Sequence, residues 1–142
     1  VLSAALKFGQ ARLSPPSLGQ IAGESLFELG EEYYNRIVAE YQKRRDVLID
    51  GLNKIPGVVC PNPGGAFYAV ASLPVQDTDV FCQWMLEEFS FNGATVMMAP
   101  ASGFYSSPGS GKNQVRMAYV LNTTDLQAAI KCLEEGLKKY NS

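Results

Sequence analysis

Asn62-Pro63-Gly64-Gly65-Ala66-Phe67-Tyr68-Ala69-Val70-Ala71-Ser72 holds a turn and the strand that it feeds. Pro63 presets its own φ, and the glycine pair admits backbone conformations closed to other residues, so 62–65 reads as a turn. From Ala66 to Ala71 all six residues are apolar, the longest such run in the chain. That is far short of the roughly 20 residues that span a bilayer. A run that is apolar at both parities has no solvent side to alternate toward, so 66–72 reads as a strand buried on both faces.

Working outward, Pro56-Gly57 ends a long helix predicted over about 31–54, with an apolar stripe of Tyr34, Ile37, Val38, Tyr41, Leu48, Leu52 and Ile55. Residues 58–60 between them read as a short strand. Ahead of the long helix, Ser14-Pro15-Pro16 breaks the path, Ser17 and Gln20 form a capping-box pattern, and Gly30 suits a helix end. The chain opens with VLSAALKF, which reads as the end of an apolar helix lacking an N-cap. Downstream, Asp77 or Thr78 caps a helix carrying Phe81, Trp84, Met85 and Phe89. Asn92-Gly93 precedes a third strand over 95–98, and the Gly-, Pro- and Ser-rich 100–112 is a loop. A fourth strand is predicted over 114–121. A capping box at Thr124 and Gln127 then opens a helix that turns Leu126, Ala129, Ile130, Leu133 and Leu137 inward. The expected fold is α+β, in the order α-α-β-β-α-β-β-α, with a small, mostly antiparallel sheet covered by helices.

The 142 residues suffice for one core, and the formal net charge is −2. Histidine is absent, which excludes a Ser-His-Asp triad, a Cys-His pair and an HExxH zinc site. Without a basic run the chain is a poor nucleic-acid binder. Cys60, Cys82 and Cys132 form no CxxC, so they read as reduced thiols of a cytoplasmic protein. Pro108-Gly109-Ser110-Gly111-Lys112 imitates a phosphate loop, but Ser106 and Asn113 stand where Gly and Ser or Thr are required, and a strand follows instead of a helix. Arg116 sits inside the apolar strand Val115-Arg116-Met117-Ala118-Tyr119-Val120-Leu121. There it either meets solvent or an ion-pair partner at a sheet edge, or it holds an anion in a partly desolvated cleft, for which a forked guanidinium is suited.

Three stretches in order then carry a resemblance: Asn62 to Tyr68; Met98-Ala99-Pro100-Ala101-Ser102-Gly103-Phe104-Tyr105; and Gln114 to Tyr119. Together they resemble the PxGxFY strand, the V-x-x-x-P-[GA]-x-x-F-[GY] loop and the [VI]-R-[IM]-x-[FY] strand of class I and II pyridoxal-phosphate aminotransferases, the fold type I, aspartate-aminotransferase-like family. Glu40-Tyr41-Gln42-Lys43-Arg44-Arg45-Asp46 is similar to that family's Y-x-x-[RK]-R-[DN] run.

The resemblance implies that 31–142 is the family's small, carboxyl-terminal domain and that 1–30 links it to a large cofactor-binding domain ahead of Val1. It makes Arg116 the binder of the substrate α-carboxylate and places Gly65 and Ala66 where the strand approaches the substrate. Arg12 becomes a second candidate anion binder, although it stands closer to the prolines than the family pattern has it. Tyr119 is expected to pack. The implied cofactor is pyridoxal phosphate, the substrates an amino acid and a 2-oxo acid, and the parent a homodimer. The family's S-x-[SA]-K motif has no counterpart around Lys7, Lys43, Lys54, Lys112, Lys131, Lys138 or Lys139, so the chain alone is expected to be inactive. Two other readings stand beside transamination: β-lyase or decarboxylase chemistry on the same scaffold, and an autonomous small-molecule or protein-binding module.

Overall fold

The computed structural model describes residues 1–12 and 16–142. They form two compact units, Val1–Ile37 and Val38–Ser142, with the division falling inside a helix. The first unit holds α1 (Leu2–Arg12), α2 (Ser17–Glu24), a 3-10 turn (Ser25–Glu28) and the start of α3 (Glu31–Leu52). Ser14 and Pro15 of the expected break lie outside the described residues. At α2 the expected Ser17–Gln20 capping box is absent. Pro16 occupies the cap position with no side-chain bond, and its carbonyl accepts from the Gln20 amide at 3.1 Å. Gly30 stands directly after Leu29, the C-cap of the 3-10 turn that continues α2, and its carbonyl accepts from Tyr33 N at 3.0 Å at the start of α3.

The second unit carries the core. α3 ends two residues short of the predicted Lys54, and Leu48, Ile49 and Leu52 on its second half are buried. The sheet is β1 (Tyr68–Ser72), β2 (Ala99–Pro100) and β3 (Gln114–Ala118). Its strand order is β1-β3-β2, antiparallel throughout. Between β1 and β2 lies α4 (Thr78–Glu87), and α5 (Thr123–Tyr140) follows β3. The α+β class is as expected.

Three strand expectations need correction, and each has a local cause. Residues 58–60 form a single bridge, Val59 to Ser72, and no strand. Asn53 has taken the next backbone groups: its Oδ1 accepts from Cys60 N at 2.8 Å and its Nδ2 donates to Cys60 O at 2.9 Å. The third strand is Ala99–Pro100 instead of 95–98, where Thr95 Oγ1 donates to Met85 O at 2.6 Å. The fourth strand stops at Ala118. Beyond it, the Val120 carbonyl is held by Arg44 Nη1 at 2.6 Å and is not available to a ladder. Phe91 and Ala94 instead close a two-residue hairpin over Asn92 (φ 54°) and Gly93 (φ 77°), the left-handed pair that such turns require.

The burial of β1 is also corrected. Ala69 and Ala71 are 2% and 0% exposed, whereas Tyr68 and Val70 are 39% and 40% exposed. Only one face of the sheet is covered. Ala69, Ala71, Val115 and Met117 join Leu52, Phe81, Met85, Leu133 and Leu137 in one core cluster, while the opposite face is open. Both caps in this unit are side-chain caps: Asp77 accepts from Asp79 N, and Asn122, two positions ahead of the expected Thr124, accepts from Asp125 N, each at 2.9 Å.

Candidate anion site on the open sheet face

β3 alternates strictly. Val115 and Met117 face the core, and Gln114, Arg116 and Ala118 face outward. Arg116 lies at the middle of the central strand, opposite Val70 on one side and Ala99 on the other. The sheet-edge reading of this arginine is thereby excluded. Its guanidinium carbon sits 4.5 Å from the ring centroid of Tyr68 and 4.5 Å from that of Phe104. Ring faces attract a cation, by about 0.5–2 kcal/mol depending on hydration. The side chain is half-buried, and none of the ion pairs among the described residues includes it.

Each neighbour is placed by local structure. A 3-10 turn over Ser102–Phe104 presents the Phe104 ring; Ala101 N donates to Gln114 O at 2.8 Å, and Ser102 Oγ donates to Asp79 Oδ2 at 2.7 Å. Tyr68 opposes Ala118 and reaches Arg116 diagonally across the strand pair. Beside the arginine runs a polar line: Tyr105 OH donates to Gln114 Oε1 at 2.6 Å, and Gln114 Nε2 to Ser72 Oγ at 3.4 Å. Gly111 makes room for the Tyr105 ring, because a Cβ there would lie 2.5 Å from it.

The turn before β1 has an unusual backbone. Ala66 takes φ 58°, a left-handed value that costs a non-glycine residue about 1–2 kcal/mol. The hydroxyl of Tyr119, a residue only 2% exposed, donates to Ala66 O at 2.9 Å and approaches Gly65 O at 3.4 Å. A Cβ on Gly65 would meet nothing within 4 Å. The missing side chain therefore answers no need of packing among the described residues. Arg12 closes α1, and its side chain lies outside the described residues.

All three cysteines are free and buried, and burial pushes the thiols of Cys60 and Cys82 up to about 11. Lys131 and Lys138 each pair with Glu134 and Glu135, and those hydrogen bonds raise both lysines. A lysine that attacks a carbonyl needs the opposite shift. Among the described residues no cluster of His, Cys, Asp or Glu could hold a metal ion, and no helix is long and apolar enough to cross a membrane.

The sequence profile of the family "Aminotransferase class I and II" matches residues 1–133. The chain belongs to that family. It is 29% identical over 135 residues to an aspartate aminotransferase of Rhizobium meliloti strain 1021, covering 86% of this chain and 30% of that protein. To an aspartate aminotransferase of Musicola paradisiaca strain Ech703 it is 30% identical over 112 residues, covering 75% and 25%. Its fold is that of the corresponding part of the α-aminoadipate aminotransferase LysN from Thermus thermophilus, with a TM-score of 0.73 at 23% identity over 96% of this chain and 36% of that one. This aminotransferase-family chain thus spans about a third of the length of the relatives it matches. Tyr68 and Phe104 were legible in the sequence of this family member as motif positions but not as the ring partners of Arg116, because positions 68, 104 and 116 become neighbours only through strand pairing and the 3-10 turn.

Proposed function

We propose that this chain is the small, carboxyl-terminal domain of an aspartate-aminotransferase-like enzyme that moves an amino group between an amino acid and a 2-oxo acid. Residues 31–142 form the domain and 1–30 lead into it from a large domain. The observation that carries this reading is Arg116, a half-buried cation at the centre of the open sheet face, stacked on Tyr68 and Phe104 and without a carboxylate partner among the described residues.

Arg116 would grip the substrate α-carboxylate bidentately, with water partly excluded by the two rings. Fixing that carboxylate orients the Cα bonds of the substrate. Gly65 and Ala66, at the turn beside the same sheet, leave the backbone approachable, and Arg12 is a second, weaker candidate for a distal carboxylate. Closure of the small domain would bring Arg116 onto the substrate and expel solvent.

Pyridoxal phosphate, when bound by the rest of the enzyme, supplies the electron sink and the carbonyl chemistry. The residues of this chain do not fit it as a holder. No lysine has the S-x-[SA]-K context, and Lys131 and Lys138 are tied to carboxylates. The chain by itself is therefore inactive, and its partners are the large domain, the substrates and, in the parent, a second copy. Buried, free thiols suit a reducing compartment such as the cytoplasm.

The test is Arg116→Ala in the full-length enzyme. A loss of about 2–5 kcal/mol in kcat/KM for amino-acid substrates is expected, as for one truncated member of a buried charge pair. Unchanged kinetics would remove Arg116 from the substrate site.

A further inference from the structure

The run Glu40-Tyr41-Gln42-Lys43-Arg44-Arg45-Asp46 has no part in the function proposed above, yet its side chains reach both backbone segments that frame Arg116. Arg44 is the centre. Its Nε bonds Glu40 Oε1 at 2.8 Å, its Nη1 donates to Val120 O at 2.6 Å, and its guanidinium carbon lies 5.4 Å from the Tyr41 ring centroid. The Tyr41 ring in turn packs on Phe67 at 6.4 Å and edge-on against Tyr119 at 6.5 Å. One residue on, Arg45 Nη1 reaches Pro63 O at 3.4 Å.

Tyr119 closes the circuit. Its hydroxyl holds the Ala66 carbonyl, and its amide donates to Phe67 O at 3.0 Å. The strand carrying Arg116 and the left-handed turn at Ala66 are thus tied twice to each other and once each to α3. A left-handed alanine persists only where its surroundings over-determine it, and these bonds supply that constraint.

We infer that Tyr119 and Arg44 are positioning residues: they lock the Gly65–Phe67 turn to the exit of β3, so that α3 sets the geometry in which Arg116 is presented. This deepens the anion-site reading of Arg116 and rests on it. Neither residue touches the anion. Tyr119 is buried beneath the turn, and Arg44 is committed to Glu40 and Val120.

The experiment uses the isotope-labelled 142-residue chain, titrated by NMR with sodium 2-oxoglutarate as the carboxylate probe. In the unaltered chain the Arg116 Nε–Hε resonance shifts saturably, and Ala66 shows the strong intraresidue HN–Hα NOE of a positive φ. Tyr119→Phe removes one oxygen and keeps the ring. It should weaken the apparent affinity about three- to tenfold, diminish the Ala66 NOE and speed exchange of the Tyr119 amide. Arg44→Gln should do the same, Arg44→Lys should not rescue it because a single ammonium lacks the fork, and exposed Lys43→Ala should change nothing. Both positioning variants with an unaltered Ala66 NOE and Tyr119 exchange overturn the inference, even if affinity falls. If the unaltered chain shows no saturable shift at Arg116, the anion reading fails, and the turn signature alone then upholds or overturns the lock.

Discussion

The ring faces of Tyr68 and Phe104 replace part of the hydration of the half-buried Arg116 guanidinium. At the cysteines burial acts on the thiol itself. With no cation or helix terminus to favour the thiolate, Cys60 and Cys82 are raised from an ordinary value near 9.0 to about 11, Cys82 also by the charge of Asp79. Two consequences follow for the native chain. Near pH 8 an aromatic disulfide reagent should titrate the three thiols only after denaturant is added, and fast native labelling of Cys60 or Cys82 would contradict their burial. Because the folded pKa is raised, the contribution of these thiols to stability is full below about pH 9 and is lost as pH climbs toward about 11, which urea unfolding at several pH values measures. At this scale the sequence singled out Arg116 by its contrast with an apolar strand. It showed Tyr68 and Phe104 only as motif positions and not as partners of Arg116, because cation–ring contacts between residues so far apart in the chain leave no local pattern.

Among the elements, the helices were legible and the strands less so. A 3.6-residue apolar period over 31–52, 78–87 and 123–140 survives any neighbour, and the helix ends moved by one or two residues. Strand limits depend instead on which partner takes each backbone group. Asn53 holds Cys60 and Arg44 holds Val120, so segments with strand-like composition leave the ladder. Helix packing adds a constraint with the same long-range character. α5 approaches α4 at Gly136, where a Cβ would lie 2.5 Å from Met85 Sδ and 3.4 Å from Phe89, and it approaches α3 at Gly51, where a Cβ would lie 2.6 Å from Ile130 Cδ1. Gly136→Ala should therefore destabilise the chain in spite of alanine's better helix propensity. Overpacking costs about 1–3 kcal/mol against about 1 kcal/mol regained. A denaturation midpoint equal to or above that of the parent chain would show that Met85 yields without cost.

For the molecule as a whole, one fact organises the chemistry: the sheet is covered by helices on one face and carries Arg116, Tyr68, Val70 and Gln114 on the other. If Arg116 is the carboxylate grip proposed above and the reacting lysine lies elsewhere in the enzyme, the chain should bind and not turn over. Mixed with pyridoxal phosphate and reduced with borohydride, the chain should show no single stoichiometric lysine adduct by mass spectrometry. Lys131 and Lys138 should label poorly, since Glu134 and Glu135 hold their protons. One defined adduct with amino-acid turnover would refute the view that the Schiff-base lysine lies outside this chain.

By itself the sequence determined the α+β class, the helices, the family pattern and the singular arginine, because periodicity, turn chemistry and motif spacing are properties of neighbouring residues. Only the tertiary structure decided that β1 has an open face, that Arg116 is central and stacked, and that α3 ties Tyr119 and the Ala66 turn to its strand. Those depend on pairings among residues 41, 44, 66, 68, 104, 116 and 119, which are distant in the chain and are brought together only by sheet register and helix packing.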